Sequence, residues 1–220
     1  MRDRALLREL QREWDGWDAR LRAARSPFRR GGPPFPMTGP GLFAELEEVR
    51  ALWRGLRRAG LSRHARKYVN AGWTLQDLLA HLASWAAEFR QQAETIAAGR
   101  DFDYSIPFAL SVIGPNAWNE ERVEALRGLS LKAVLDQFDD ETRRLQDLVL
   151  SLPREVLLKP ATLPLSPSGD PRSPVPGNVA MVASAKCTHD RHHIGQISRW
   201  LAAREPDAGL PSARSRRRRS

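Results

Sequence analysis

Three features of the 220-residue sequence predict an all-α fold. Apolar residues recur at steps of three and four along most of its length, the spacing that lines one side of a helix. Runs of strict apolar and polar alternation, the mark of half-buried strands, do not occur. Capping residues, prolines and glycines fall where the periodic stretches begin and end.

Each element follows from those features. Residues 4–24 carry Leu6, Leu7, Leu10, Trp14, Trp17 and Leu21 at helical spacing, before "SPFRRGGPPFPMTGPG" breaks any helix. Residues 1–40 therefore read as an N-terminal helix plus a Pro/Gly-rich linker. A second helix runs from about Leu42 to Arg58 and aligns Leu42, Leu46, Val49, Leu52, Trp53 and Leu56. The third spans about 74–98. Thr74 can cap it, and Asp77 supplies a carboxylate three positions on, a variant of the capping box. Leu75, Leu78, Leu82, Trp85 and Phe89 form its seam, with His81 beside it.

The stretch "DFDYSIPFALSVIGPNAWNEERVEAL" mixes loop signals with a short amphipathic piece around Trp118, Val123 and Leu126. Ser130 is a plausible cap for a fourth helix over 131–152, whose apolar face holds Leu131, Val134, Leu135, Phe138, Leu145, Leu148, Val149 and Leu152. Pro153 lies just past it, and "LPLSPSGDPRSPVPG" reads as an exposed connection. Asn178 opens the last helix, which runs to about Arg204, with Pro206 closing it. The expected organisation is one helical domain over 41–205 and a disordered Arg-rich tail over 206–220.

Composition narrows the function classes. No run of about 18 apolar residues occurs, and "MRDRALLREL" lacks the features of a secretory signal, so the cytoplasm is the expected location and no membrane partner is expected. Cys187 is the only cysteine, which excludes an intrachain disulfide. Of the net charge of +9, Arg214 and Arg216 to Arg219 supply five units, which leaves the remainder mildly basic at +4. Nucleic acid could be held only through that tail, and no aromatic residues interleave with its arginines to stack on bases. A solvated tail is the simpler reading.

The histidines carry the chemical signal. "THDRHHIGQISRWL" places His189 and His193 four apart, offset by about 40° and about 6 Å along a helix, so both rings can aim at one point. They share a side with Val182, Lys186, Ile197 and Trp200, whereas His192 is rotated about 100° from His193. Alone, His-x-x-x-His is a weak signal. It gains weight from His81, an imidazole beside apolar neighbours on another helix, whose nitrogens need a partner that a divalent ion would supply. His64, within "SRHARK", is expected to be solvated. Cys187 lies about 200° around from His189 and is expected to be a small buried apolar residue. "HDRHH" superficially resembles the His-Glu-x-x-His element of zinc proteases, but Asp190 is shorter than the glutamate that element needs.

"GWTLQDLLAHLASW", followed about 100 residues later by "HDRHHIGQISRW", resembles the DinB-like metal-binding superfamily from about Leu42 to Arg204. The resemblance implies a four-helix bundle with a long crossover connection. The N-terminal helix is either an addition outside the bundle or its first helix with 42–58 as the insertion, and the former is preferred because 42–58 leads directly into "GWT". The resemblance also implies His81, His189 and His193 as metal ligands, with Gln196 in the "GQI" that follows. Asn119, Asp190 and Gln196 are candidates for supporting or substrate contacts, with solvent-facing or capping roles as the alternative for each. Zinc suits three imidazoles best, and nickel, iron and manganese are compatible with them. Members include transferases and isomerases that use low-molecular-weight thiols and a hydrolase group that protects against toxins. The expected function is therefore a metal-dependent transferase or hydrolase acting with such a thiol or on electrophilic toxins, with a small-molecule substrate. A homodimer is compatible with such a bundle. The alternative is a non-catalytic metal-binding bundle in stress response or partner binding.

Overall fold

The computed structural model describes residues 38–58, 60–70, 72–100, 117–163 and 175–204. In chain order it contains α1 (Gly39–Arg58), a 3-10 turn (Leu61–His64), α2 (Leu75–Ala97), α3 (117–126) and α4 (Leu131–Ser151). A short α5 (Arg154–Leu157), two strands, β1 (Ala161–Leu163) and β2 (Val175–Gly177), and α6 (Val179–Arg204) follow. The expected helix over 4–24, nearly all of its linker and the Arg-rich tail lie outside the described residues.

Local chemistry sets the helix starts. Thr74 accepts from the backbone N–H of Asp77 at 3.2 Å, while the Asp77 carboxylate accepts from the Thr74 N–H at 2.9 Å, a reciprocal capping box. Asp77 titrates below the usual carboxylate range: burial alone would raise it, and its bonds to Thr74 and Arg127 outweigh that. Ser130 caps α4 through the Ala133 N–H at 3.1 Å, and Asn178 caps α6 through that of Met181 at 2.9 Å. Thr74→Ala is expected to cost about 1 kcal/mol, read as a lower denaturation midpoint with an unchanged slope. At the other end of α2, Gly99 sits at φ 64, and the N–H of Arg100 returns to the Thr95 carbonyl at 3.2 Å, closing the helix with a left-handed turn.

α1 begins at Gly39, three residues before its expected start. Thr38 caps it, through a carbonyl that accepts from Leu42 at 3.0 Å and a hydroxyl that accepts from Gly41 at 3.3 Å. Pro40 is tolerated in the first turn because its missing N–H would have had no partner there. Gly39 itself lets the chain approach α4 closely, since a Cβ there would stand 2.5 Å from the Val149 carbonyl oxygen.

The four long helices form a bundle in which α1 and α2 each pack against both α4 and α6, so consecutive α1 and α2 occupy opposite corners. Leu42, Leu46, Val49, Trp53 and Leu56 of α1, Leu78 and Leu82 of α2, Phe138 and Leu145 of α4, and Ile194 and Ile197 of α6 meet in the buried core. Trp53 stacks on Phe138 with ring centroids 3.9 Å apart and donates to the Leu135 carbonyl at 3.3 Å. The connection expected to be exposed has paired ends, with β1 and β2 antiparallel in the register Ala161 to Gly177, Thr162 to Pro176 and Leu163 to Val175, and its residues 164–174 lie outside the described residues. Strands this short carry no readable alternation, which is why the sequence does not announce them. Among the described residues no helix is long and apolar enough to cross a membrane.

His64 corrects an expectation. It is buried, not solvated, and accepts from Arg63 Nε at 3.0 Å with its ring edge-on to Trp200. In a 3-10 turn, side chains three apart eclipse one another, so the burial of Leu61 carries His64 inward with it. The basic neighbours in "SRHARK" conceal that geometry.

Candidate metal centre

His81 projects from the second turn of α2, and His189 and His193 from adjacent turns of α6, the helix packed beside it. Their Nε2 atoms meet: His81 lies 3.2 Å from His189 and 3.3 Å from His193, and the inward nitrogens of all three fall within 4.8 Å of one another. Ligands bound tetrahedrally at about 2.05 Å stand about 3.3 Å apart, so the two short edges have the spacing that a zinc-sized cation requires.

The outward nitrogens explain why the rings face inward. His189 Nδ1 lies 3.1 Å from Asp190 Oδ1, and His193 Nδ1 lies 3.1 Å from Gln196 Oε1. Burial alone would raise the Asp190 pKa, but the adjoining Lys186 charge and the His189 hydrogen bond hold it below the usual range, so it is an anion and only accepts. His189 then donates from Nδ1, which in the neutral ring turns a bare Nε2 to the centre, and the Gln196 oxygen asks the same of His193. His81 can offer one proton to two such neighbours. At most one of the two short contacts can then be a hydrogen bond, and the other is left without a proton between its nitrogens, an arrangement that a shared cation relieves. Asp190 and Gln196 thus bond the outward nitrogens of His189 and His193, the contact that would orient each ring toward a metal.

Electrostatics agree with the geometry. Burial, then the charges of His189 and His193, push His81 down to about 2, and burial followed by His189 pushes His193 down to about 4. Both rings are neutral at pH 7, the form that binds a metal. Below pH 6.5 the unfolded chain binds more protons at these positions than the folded one does. The metal-free protein should therefore be fully stable above pH 7 and lose stability as the pH falls from 6.5 toward 4, by about 1.4 kcal/mol per pH unit for each such residue. Denaturant midpoints at pH 7.5, 6 and 5 check this, and replacing His193 by glutamine should flatten the trend.

The surroundings are aromatic. Trp73 lies 5.0 Å from His81 between ring centroids, and Trp85 lies 5.5 Å from His189. Trp118 packs on Trp85 at 4.6 Å. Asn119 holds the Trp85 indole N–H at 2.9 Å, so among the described contacts it bonds this wall and not the histidines. His192 is exposed, as its angle on the helix requires. Cys187 is buried away from the trio, and burial raises its thiol to about 12. Trp73 and the contact between Lys186 and Asp190 are features that the sequence reading did not single out. The four-residue step from 186 to 190 was a readable signal for the second, whereas nothing local marks the first.

A bundle with three convergent histidines on two neighbouring helices defines the class of protein to which a divalent metal ion could bind. The chain belongs to the mycothiol maleylpyruvate isomerase N-terminal domain family, a DinB-like four-helix-bundle family, which it matches over residues 42–181. That match contains His81 and ends within the first turns of α6, before His189 and His193. No curated protein matches the chain. No solved structure does so either.

Proposed function

We propose that His81, His189 and His193 hold one divalent cation, zinc before nickel, iron or manganese, and that the protein is a metal-dependent transferase or hydrolase. It acts in the cytoplasm with a low-molecular-weight thiol or on electrophilic toxins. The observation that carries this reading is the meeting of the three Nε2 atoms, at 3.2 and 3.3 Å from His81, with the outward nitrogens of His189 and His193 already bonded. Family membership supports the thiol, since mycothiol stands in the family's own name.

Three imidazoles leave a fourth position for a small molecule, as catalytic sites do and closed structural sites do not. A cation bound there favours the deprotonated form of a thiol or water that reaches it. The chain's own contribution is orientation and exclusion of solvent. Asp190 and Gln196 hold the rings of His189 and His193, and Trp73 and Trp85 give the site apolar walls against which an organic electrophile can lie.

The test is consumption of thiol in the presence of an electrophile, with zinc-loaded and chelator-treated protein compared side by side. Turnover that requires the metal and vanishes in His193→Ala is expected. Thiol loss no faster than in the metal-free control, across a panel of thiols and electrophiles, would remove the transferase reading.

A further inference from the structure

Lys186 is fully buried within the bundle, where its ammonium pairs with a carboxylate. Its Nζ forms an ion pair with Asp190 Oδ2, both side chains are 0% exposed, and it lies 4.5 Å from the centroid of the Phe138 ring. Stability alone does not account for such a pair, because well-packed apolar residues of similar volume serve a core equally well or better. Its position offers another reason. The two oxygens of Asp190 are divided between two partners: Oδ1 takes the Nδ1 of His189 at 3.1 Å, and Oδ2 takes Lys186. Lysine and carboxylate, both buried, and the partly buried imidazole therefore form one chain that ends at the centre.

We infer that Asp190 and Lys186 are a pair of positioning residues that set, with opposite signs, how tightly the histidine trio holds a divalent cation. Asp190 strengthens the hold by fixing the ring of His189 and feeding negative charge into it. Lys186 weakens the hold by drawing on the same carboxylate and by placing a second positive charge behind the site. The two charges cancel, so they leave the cation's own charge uncompensated. The inference rests on the metal-binding reading proposed above.

Zinc affinity, measured on the full metal-free chain by competition with a chromophoric chelator, tests it, with denaturant unfolding of the same samples in parallel. Asp190→Asn should weaken binding by about 10- to 100-fold. Lys186→Met should lower the stability of the metal-free chain and yet tighten zinc binding several-fold, a split that a purely structural ion pair would not produce. Where Lys186→Met alone does not fold, the double variant Lys186→Met with Asp190→Asn answers the same question, and it should bind zinc more tightly than Asp190→Asn does. Affinity that falls or stays level on removal of the lysine, in whichever backgrounds fold, overturns the inference. A wild-type chain that binds no zinc overturns the metal site itself, and this inference with it.

Discussion

His81→Ala should fold and should lose the stabilisation that zinc confers on the wild type. A ligand that binds only the folded state at a thousand times its dissociation constant adds about 4 kcal/mol, so the wild-type thermal transition should move up clearly when zinc is added to the metal-free chain. His81 is the only one of the three nitrogens that α2 contributes. Without it the cation keeps two ligands on one helix and no longer ties α2 to α6. The loss of affinity should exceed the about 10- to 100-fold that follows from removing a supporting residue. Thermal unfolding with and without zinc measures the effect. His192→Ala is the matched control: it removes an exposed imidazole from the same helix and should leave the zinc shift intact.

Trp53→Ala should have the largest effect on stability, about 3–5 kcal/mol. The indole is fully buried, is stacked on Phe138 at 3.9 Å and donates to the Leu135 carbonyl at 3.3 Å, so its loss opens a cavity between α1 and α4 and leaves that carbonyl without its indole donor. A loss of that size is a large part of what an ordinary domain has to spare. Denaturant unfolding should show an earlier midpoint. Because Trp53 belongs to α1 and the three histidines to α2 and α6, the fraction that remains folded should bind zinc as the wild type does.

What could be read from the sequence is what depends on neighbours along the chain. Thr74 with Asp77, Ser130 and Asn178 announce their helices because a cap acts over three residues. His189 and His193 are legible through their four-residue step, and His81 through its place beside an apolar seam. Their convergence needs only that α2 and α6 be adjacent. What was not legible depends on contacts between distant segments or on unusual turns. The basic residues around His64 suggest solvent, whereas the 3-10 turn carries the ring inward beside Leu61. The start of α1 is hidden by Pro40 and its glycine neighbours, residues that usually end helices and here begin one. Lys186 looks like an ordinary charged residue on a helix, and only the packing of α6 against the rest of the bundle seals it and Asp190 from water.

The claim at the centre of this account is that the trio of histidines holds a cation, and elemental analysis of untagged protein purified without chelators tests it most directly. About one equivalent of a divalent metal per chain is expected after incubation with zinc at neutral pH, and close to none in a variant with His81, His189 and His193 all replaced. A wild-type chain that stays metal-free under those conditions, or a triple variant that keeps the wild-type content, would contradict it.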